Sequence, residues 1–262
     1  MNVSRFLVDV QTTLPRGPVN SVVQAVTILR HLGTRADGAG VTAIARATGI
    51  SPSSCYNVLR TLVSEDLASF DPATKRYALG LGLVDLARSM LAHDAAARVA
   101  EKPMAALAER HEAAVGLWRL SGDRLVLVAL AESEAATRIH MAVGQRQPAT
   151  AGASGRAVLA ASRLSDEALL AAYASVRWSR PPGAETFLSQ VREAEARGWA
   201  DDIGNVHHGI ETVAAGVPDR DGGVRLVLSA SVFGGRETAE GMRRIGAELY
   251  EAAQAIGRTV DR

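Results

Sequence analysis

Apolar positions between residues 20 and 62 recur at three- and four-residue spacing and break twice, which predicts three short helices. In residues 41–62, VTAIARATGISPSSCYNVLRTL, Thr42 is a candidate cap, and Ile44, Ala45 and Ala47 follow on the apolar side. Thr48-Gly49-Ile50 interrupts the run, and Gly49 suits a sharp turn that needs positive φ. Ser51 fits the N-cap of the next helix, and Pro52 its first position, where a missing N–H costs nothing. There Cys55, Val58, Leu59 and Leu62 face inward, which leaves Ser53, Ser54, Tyr56, Asn57 and Arg60 outside. Upstream, residues 21–32 carry Val22, Val26, Leu29 and Leu32 on one stripe, a third helix to cover the pair. Downstream, residues 67–70 and 76–79 read as two short strands joined by a turn at 71–75.

Two helices around a tight turn, the second polar on its outer face, suit an element that enters the DNA major groove. A plain helical hairpin with a solvated face has the same local pattern. The third helix and the hairpin decide between them: together the elements make a winged helix–turn–helix. Hydroxyls and the Asn57 amide can reach base edges, Arg60 can pair with phosphate, and Lys75 and Arg76 fall at the wing tip beside the DNA backbone.

Beyond the wing the period stays helical from 81 to about 111, with Leu83, Leu86, Met90 and Leu91 on one face, then Val99, Met104 and Leu107. Pro103 is expected to open a second helix after a break near Asp94. Strand-like runs follow at 114–120, 124–130 and 138–143, helical ones at 150–161, 166–173 and 187–197, then strands at 212–217 and 224–233 and a helix at 238–260. This irregular alternation predicts an α+β fold: a mainly antiparallel sheet flanked by helices. The expected organisation is an arm over 1–18, a DNA-binding domain over 19–80, a linker helix over 81–97 and a second domain over 98–262.

A chain of 262 residues with 47% apolar content can build two cores. The net charge of +1 argues against non-specific coating of nucleic acid, though not against a local DNA-binding face. A single cysteine, Cys55, permits no internal disulfide and agrees with a reducing cytoplasm. The first residues lack the apolar run of a signal peptide, and no stretch reaches the length of a membrane span.

Over nearly its full length the chain resembles the IclR family of bacterial transcriptional regulators. The resemblance rests on several blocks in order: SVVQAVTILRHL, VTAIARATGISPSSCYNVLRTLVSEDLA, FDPATKRYALG, LGLVDLA, VGQRQPATAGASGRAVLAA, REAEARGWADD, HHGIETVAAGVPDRDGG and LSASV. It implies a winged-helix domain, a linker helix and a GAF-like effector-binding domain, working on promoter DNA as a homodimer or a dimer of dimers. It also implies a pocket formed by Ala153, Ser154, Asp202, Ile210, Thr212, Ser229 and Ser231, with Gln147 where the family often has an apolar residue. Asn57 stands where a basic residue is usual, Pro52 where Lys is frequent and Tyr56 where His is frequent, so an operator sequence does not carry over.

The residues themselves give the pocket a basis. Gly152-Ala153-Ser154-Gly155 opens a helix whose N–H groups can bind an anion, and Ser229 and Ser231 alternate onto one strand face. A small carboxylate, aromatic or keto, is therefore the expected effector, its catabolic or transport operon the expected target. The same glycines could serve close packing, the serines could bond to backbone and Asp202 could cap a loop. Gly152–Arg156 fails the G-x-S-x-G nucleophile pattern because Arg156 takes the last glycine position. Asp201, Asp202, His207 and His208 lack helical metal-ligand spacing. No catalysis, cofactor or metal is expected. A hydrolase using Ser154, or a ligand-binding module with little DNA specificity, are the alternatives.

Overall fold

The computed structural model describes residues 17–92, 95–134 and 137–260. Most of the expected arm, and the break near Asp94, lie outside these residues. The chain divides into two compact units, the first within Thr12–His93 and the second beginning at Asp94.

In the first unit, α1 (Asn20–Leu32), α2 (Val41–Thr48) and α3 (Pro52–Ser64) precede a hairpin of β1 (Ala68–Asp71) and β2 (Arg76–Leu79), then α4 (Gly82–Ala92). Thr42 lies inside α2, whose N-cap is Gly40. The tight turn forms as its residues dictate: Gly49 adopts φ 71°, and the Ser51 hydroxyl accepts the Ser54 N–H at 3.2 Å ahead of Pro52. Ile28, Leu32, Ile44, Cys55, Leu59, Leu62 and Tyr77 close the core.

The stripe expected to bury α1 is corrected. Ala25, Ile28, Leu29 and Leu32 face the core, while Val22 and Val26 are exposed. Both sets keep three- and four-residue spacing, so α1 has two apolar faces and periodicity alone could not choose between them.

The second unit is built on a six-stranded antiparallel sheet. Its strands are β3 (Ala114–Ser121), β4 (Arg124–Ala131), β5 (Arg146–Pro148), β6 (Trp199–Ile203), β7 (Ile210–Pro218) and β8 (Val224–Phe233), in the order β5-β4-β3-β8-β7-β6. Helices α5 (Ala95–His111) and α9 (Ala239–Val260) cover one face, and α6 (Gly152–Ala161), α7 (Asp166–Ser175) and α8 (Ala184–Arg197) pack on the other. Strand alternation separates two cores. Leu226, Leu228, Ala230 and Val232 of β8 point to α5 and α9, while Val227 joins the α6–α8 side.

Three expectations change here. Pro103 lies inside α5 rather than at its start. The buried series Ala96, Ala100, Met104 and Leu107 keeps one face on the sheet, and that packing outweighs the roughly 3 kcal/mol penalty of an interior proline. Residues 81–97, expected as one linker helix, comprise α4 and the first residues of α5. Residues 138–143 form no strand. Pairing with β4 starts later: the Gly144 N–H donates to the Leu127 carbonyl and the Leu127 N–H to that of Gln145, after a turn in which Gln145 N–H donates to Ala142.

Gly155 holds the start of α6 in place. A Cβ there would overlap the carbonyl carbon and oxygen of Thr150, which are rigid backbone. Gly155→Ala is therefore expected to destabilise the second unit by about 1–3 kcal/mol, as overpacking does. Thermal unfolding would show a drop of about 2–4 °C per kcal/mol. An unchanged melting temperature would mean that the segment at Thr150 shifts without cost.

Candidate functional site: an interior cavity and a helical DNA-reading face

The α6–α8 side of the sheet forms a cavity of about 270 Å³ that opens to solvent beside His140 and His207. Register explains which side chains reach it. Asp202 of β6 pairs with Thr212 of β7, and Thr212 with Ser231 of β8, so the three stand in one row across the sheet. Thr212 and Ser231 share a hydrogen bond of 2.9 Å between their hydroxyls. In the neighbouring row Ser229 faces Gly116 of β3. Gly116 leaves room for the Trp118 indole to lie beside it and donate from Nε1 to Ser229 Oγ at 2.8 Å.

Helix α6 supplies another wall. Its N-cap, Ala151, has no side chain able to cap, and the first intrahelical bond is Gly155 N–H to the Ala151 carbonyl. The N–H groups of the first turn have no intrahelical acceptor, and the helix dipole adds positive potential at that end. Gly152 adopts φ 64°, a conformation that favours glycine, whereas Gly155 is required for close packing. Both readings of the glycine run therefore hold, at different positions.

All eight residues expected at the pocket line this cavity: Gln147, Ala153, Ser154, Asp202, Ile210, Thr212, Ser229 and Ser231. Sequence reasoning missed Ile139, His140 and Met141, which come from the segment expected to be a strand, Gln145 from the turn after it, and Val206 and His207 from the β6–β7 loop. No periodic signal marks such loop residues; only the fold brings them in. Asp202 is buried, and each of its oxygens accepts a hydrogen bond. Its Oδ1 accepts from Arg156 Nη1 at 2.8 Å and its Oδ2 from the Val206 N–H at 3.0 Å. Arg156 also donates from Nη2 to Asn205 Oδ1 at 3.2 Å. Among the described residues no group of three or more His, Cys, Asp or Glu is placed to hold a metal.

In the first unit, Cys55, Leu59 and Leu62 seat α3 on the core, and burial pushes the Cys55 thiol up. Ser53, Tyr56, Asn57 and Arg60 are exposed, Ser54 half-buried. The Arg60 guanidinium lies 5.9 Å from the centre of the Tyr56 ring, a cation–π contact that holds it over the helix. At the wing, the Asp71 carboxylate accepts from Thr74 Oγ1 and the Ala73 N–H, which lowers its pKa and fixes the turn. Lys75, at φ 57°, sits at the tip. Arg76 is employed differently from the expectation. Its guanidinium donates to the Asp37 and Gly38 carbonyls at 2.8 and 2.9 Å, so it braces the wing against the loop before α2.

Comparison with known proteins accords with this architecture. Residues 21–72 match the IclR helix-turn-helix domain, and residues 89–258 the bacterial transcriptional regulator IclR C-terminal domain. The chain is 26% identical to the HTH-type transcriptional regulator KdgR of Escherichia coli, over 91% of each chain. An IclR transcriptional regulator from Alicyclobacillus acidocaldarius superposes with a TM-score of 0.80 at 27% identity, covering 92% of this chain and 99% of that one. An IclR homolog from Microbacterium hydrocarbonoxydans, solved in complex with 4-hydroxybenzoate, shares the fold with a TM-score of 0.75 at 20% identity, covering 92% and 99%. Two domain models in order, matching most of the chain, place it plainly: it belongs to the IclR family of bacterial transcriptional regulators, with an N-terminal helix–turn–helix and a C-terminal effector-binding domain.

Proposed function

We propose that this regulator binds a pseudo-palindromic promoter site as a homodimer, alone or paired into a dimer of dimers, and responds to a small organic acid held in the sheet cavity. The observation that carries the reading is the meeting, in one small cavity, of the uncapped α6 N-terminus with the hydroxyl row of Thr212 and Ser231. Unpaired helix N–H groups attract a carboxylate, and hydroxyls orient the remaining polar atoms. The volume lies at the small end of ligand sites and suits a single ring or a short keto acid. The 4-hydroxybenzoate complex of the Microbacterium hydrocarbonoxydans homolog supports this ligand class. The target is then an operon for breakdown or transport of that acid. Along the chain α4 joins the two units, and effector binding is expected to act through it on the spacing of the DNA-reading heads.

A second copy of the chain is supported by α1. Val19, Val22, Val23 and Val26 form an exposed apolar stripe on the helix that covers the reading pair, and α4 exposes Val84 and Leu86. Exposed apolar stripes of this kind mark association surfaces, and a two-fold pair reads two half-sites.

Three measurements test these statements. Selection of bound DNA should show altered base preference for Asn57→Ala. Arg60→Ala should weaken binding on all sequences and reduce the log–log salt slope by about one. Equal loss on every sequence for both variants would contradict the split. By sedimentation, Val22→Glu with Val26→Glu should shift the protein toward monomer, and an unchanged mass would remove α1 from the interface. Calorimetry against benzoate, 4-hydroxybenzoate and pyruvate should show binding of at least one acid. A cationic compound bound in their place would overturn the effector class.

A further inference from the structure

The cavity wall holds a carboxylate, Asp202, in the same space that is proposed to receive an acid. Like charges in a confined, poorly solvated site repel strongly. The structure supplies a counter-charge. Arg156 is fully buried behind the wall and does not itself line the cavity. Its Nη1 reaches Asp202 Oδ1 at 2.8 Å, while the rings of Trp178 and Phe187 lie 5.5 and 5.4 Å from its guanidinium carbon. Its Nε has no hydrogen-bond partner, an unusual state for a buried polar atom.

Resting on the organic-acid reading above, we propose that Arg156 is a positioning and specificity residue for the effector. It neutralises Asp202 and so lets the α6 N-terminus set the cavity's preference for an anion. The same pair shapes the wall. Asp202 Oδ2 fixes the Val206 N–H and Arg156 Nη2 fixes Asn205, so the loop that supplies Val206 and His207 is held to α6 and β6. Asp202 therefore acts on the ligand through charge and loop placement. The other titratable side chains that line the cavity are His140 and His207. Both are exposed, so neither replaces a buried guanidinium as the counter-ion.

The test uses a matched pair of probes, benzoate and benzamide, titrated into the full-length protein. Wild type should prefer benzoate. Arg156→Met, which keeps a long apolar side chain against the two aromatic rings, leaves the carboxylate uncompensated. It should lower the benzoate-to-benzamide affinity ratio by about tenfold, equivalent to about 1.4 kcal/mol. Asp202→Asn leaves the guanidinium uncompensated and should raise the ratio by about tenfold, or about 1.4 kcal/mol in the opposite sense. The double variant should return it toward the wild-type value. Damage to the fold weakens both probes together and does not move the ratio, so the ratio separates charge from structure. Asp202→Asn keeps the test open if Arg156→Met does not fold. A wild-type preference for benzoate that survives both single variants unchanged would overturn the role of the pair while leaving the acid reading intact. A wild type with no preference for benzoate would overturn the acid reading, and this role with it.

Discussion

The period-two alternation of β7 and β8 is the constraint on which the second unit depends. Val213, Ala215 and Val217 of β7, with Leu226, Leu228, Ala230 and Val232 of β8, make one core against α5 and α9. The residues between them, Thr212, Ser229 and Ser231, make the cavity wall. The two functions cannot be separated. A slip of one residue in the β7–β8 register would send hydroxyls into the apolar core and leucines into the cavity. The apolar core thus fixes the register, and the register fixes the polar row of Asp202, Thr212 and Ser231.

A buried ion pair is not in general a stabilising device, because desolvation of both charges offsets their attraction. Arg156 and Asp202 conform to that rule, since one guanidinium nitrogen remains without a partner. A pair of methionine-sized apolar residues would fill the same volume without the desolvation cost. What the pair provides is placement. It joins α6, β6 and the β6–β7 loop through directional bonds of 2.8–3.2 Å, which apolar contacts do not supply.

Much of this was legible in the sequence, and what was not has identifiable causes. The helix–turn–helix was read from Gly49, Ser51 and Pro52, whose local chemistry allows few alternatives, and the structure shows them as the αL cap, N-cap and first helical residue. Strand β8 was legible over its whole length because its ten residues form a largely apolar, β-branched-rich run, long enough to stand out although both of its faces are buried. Strands β5 and β6, of three and five residues, were missed: unlike the equally short β1 and β2, they are not marked by a turn joining them to a neighbouring strand-like run. Residues 138–143 have strand-forming side chains but do not pair with β4, which the chain meets only from Gly144 onward. The eight pocket residues followed from resemblance, and the hydroxyl alternation alone would have given Ser229 and Ser231. The partner of Asp202 lies 46 residues away on another element, and no local pattern announces such a contact.

The DNA-reading face has a consequence for how such a regulator is controlled. The exposed part of α3 presents one guanidinium, Arg60, beside hydroxyls and the Asn57 amide, and Arg76 is committed to the wing's own scaffold. Phosphate contacts supply most non-specific affinity and most of the salt dependence of binding. With one guanidinium, α3 itself supplies little non-specific affinity and, on the proposed function, relies on base contacts and on a second copy of the chain. In the proposed dimer, occupancy would then depend steeply on whether both heads meet their half-sites together. An effector coupling of about 1–3 kcal/mol, the usual range between linked sites, is then enough to change occupancy by one to two orders of magnitude. On the proposed function, a strongly basic α3 would stay on DNA through the same perturbation, so its modest charge would let a small ligand in the second unit act as an effective signal.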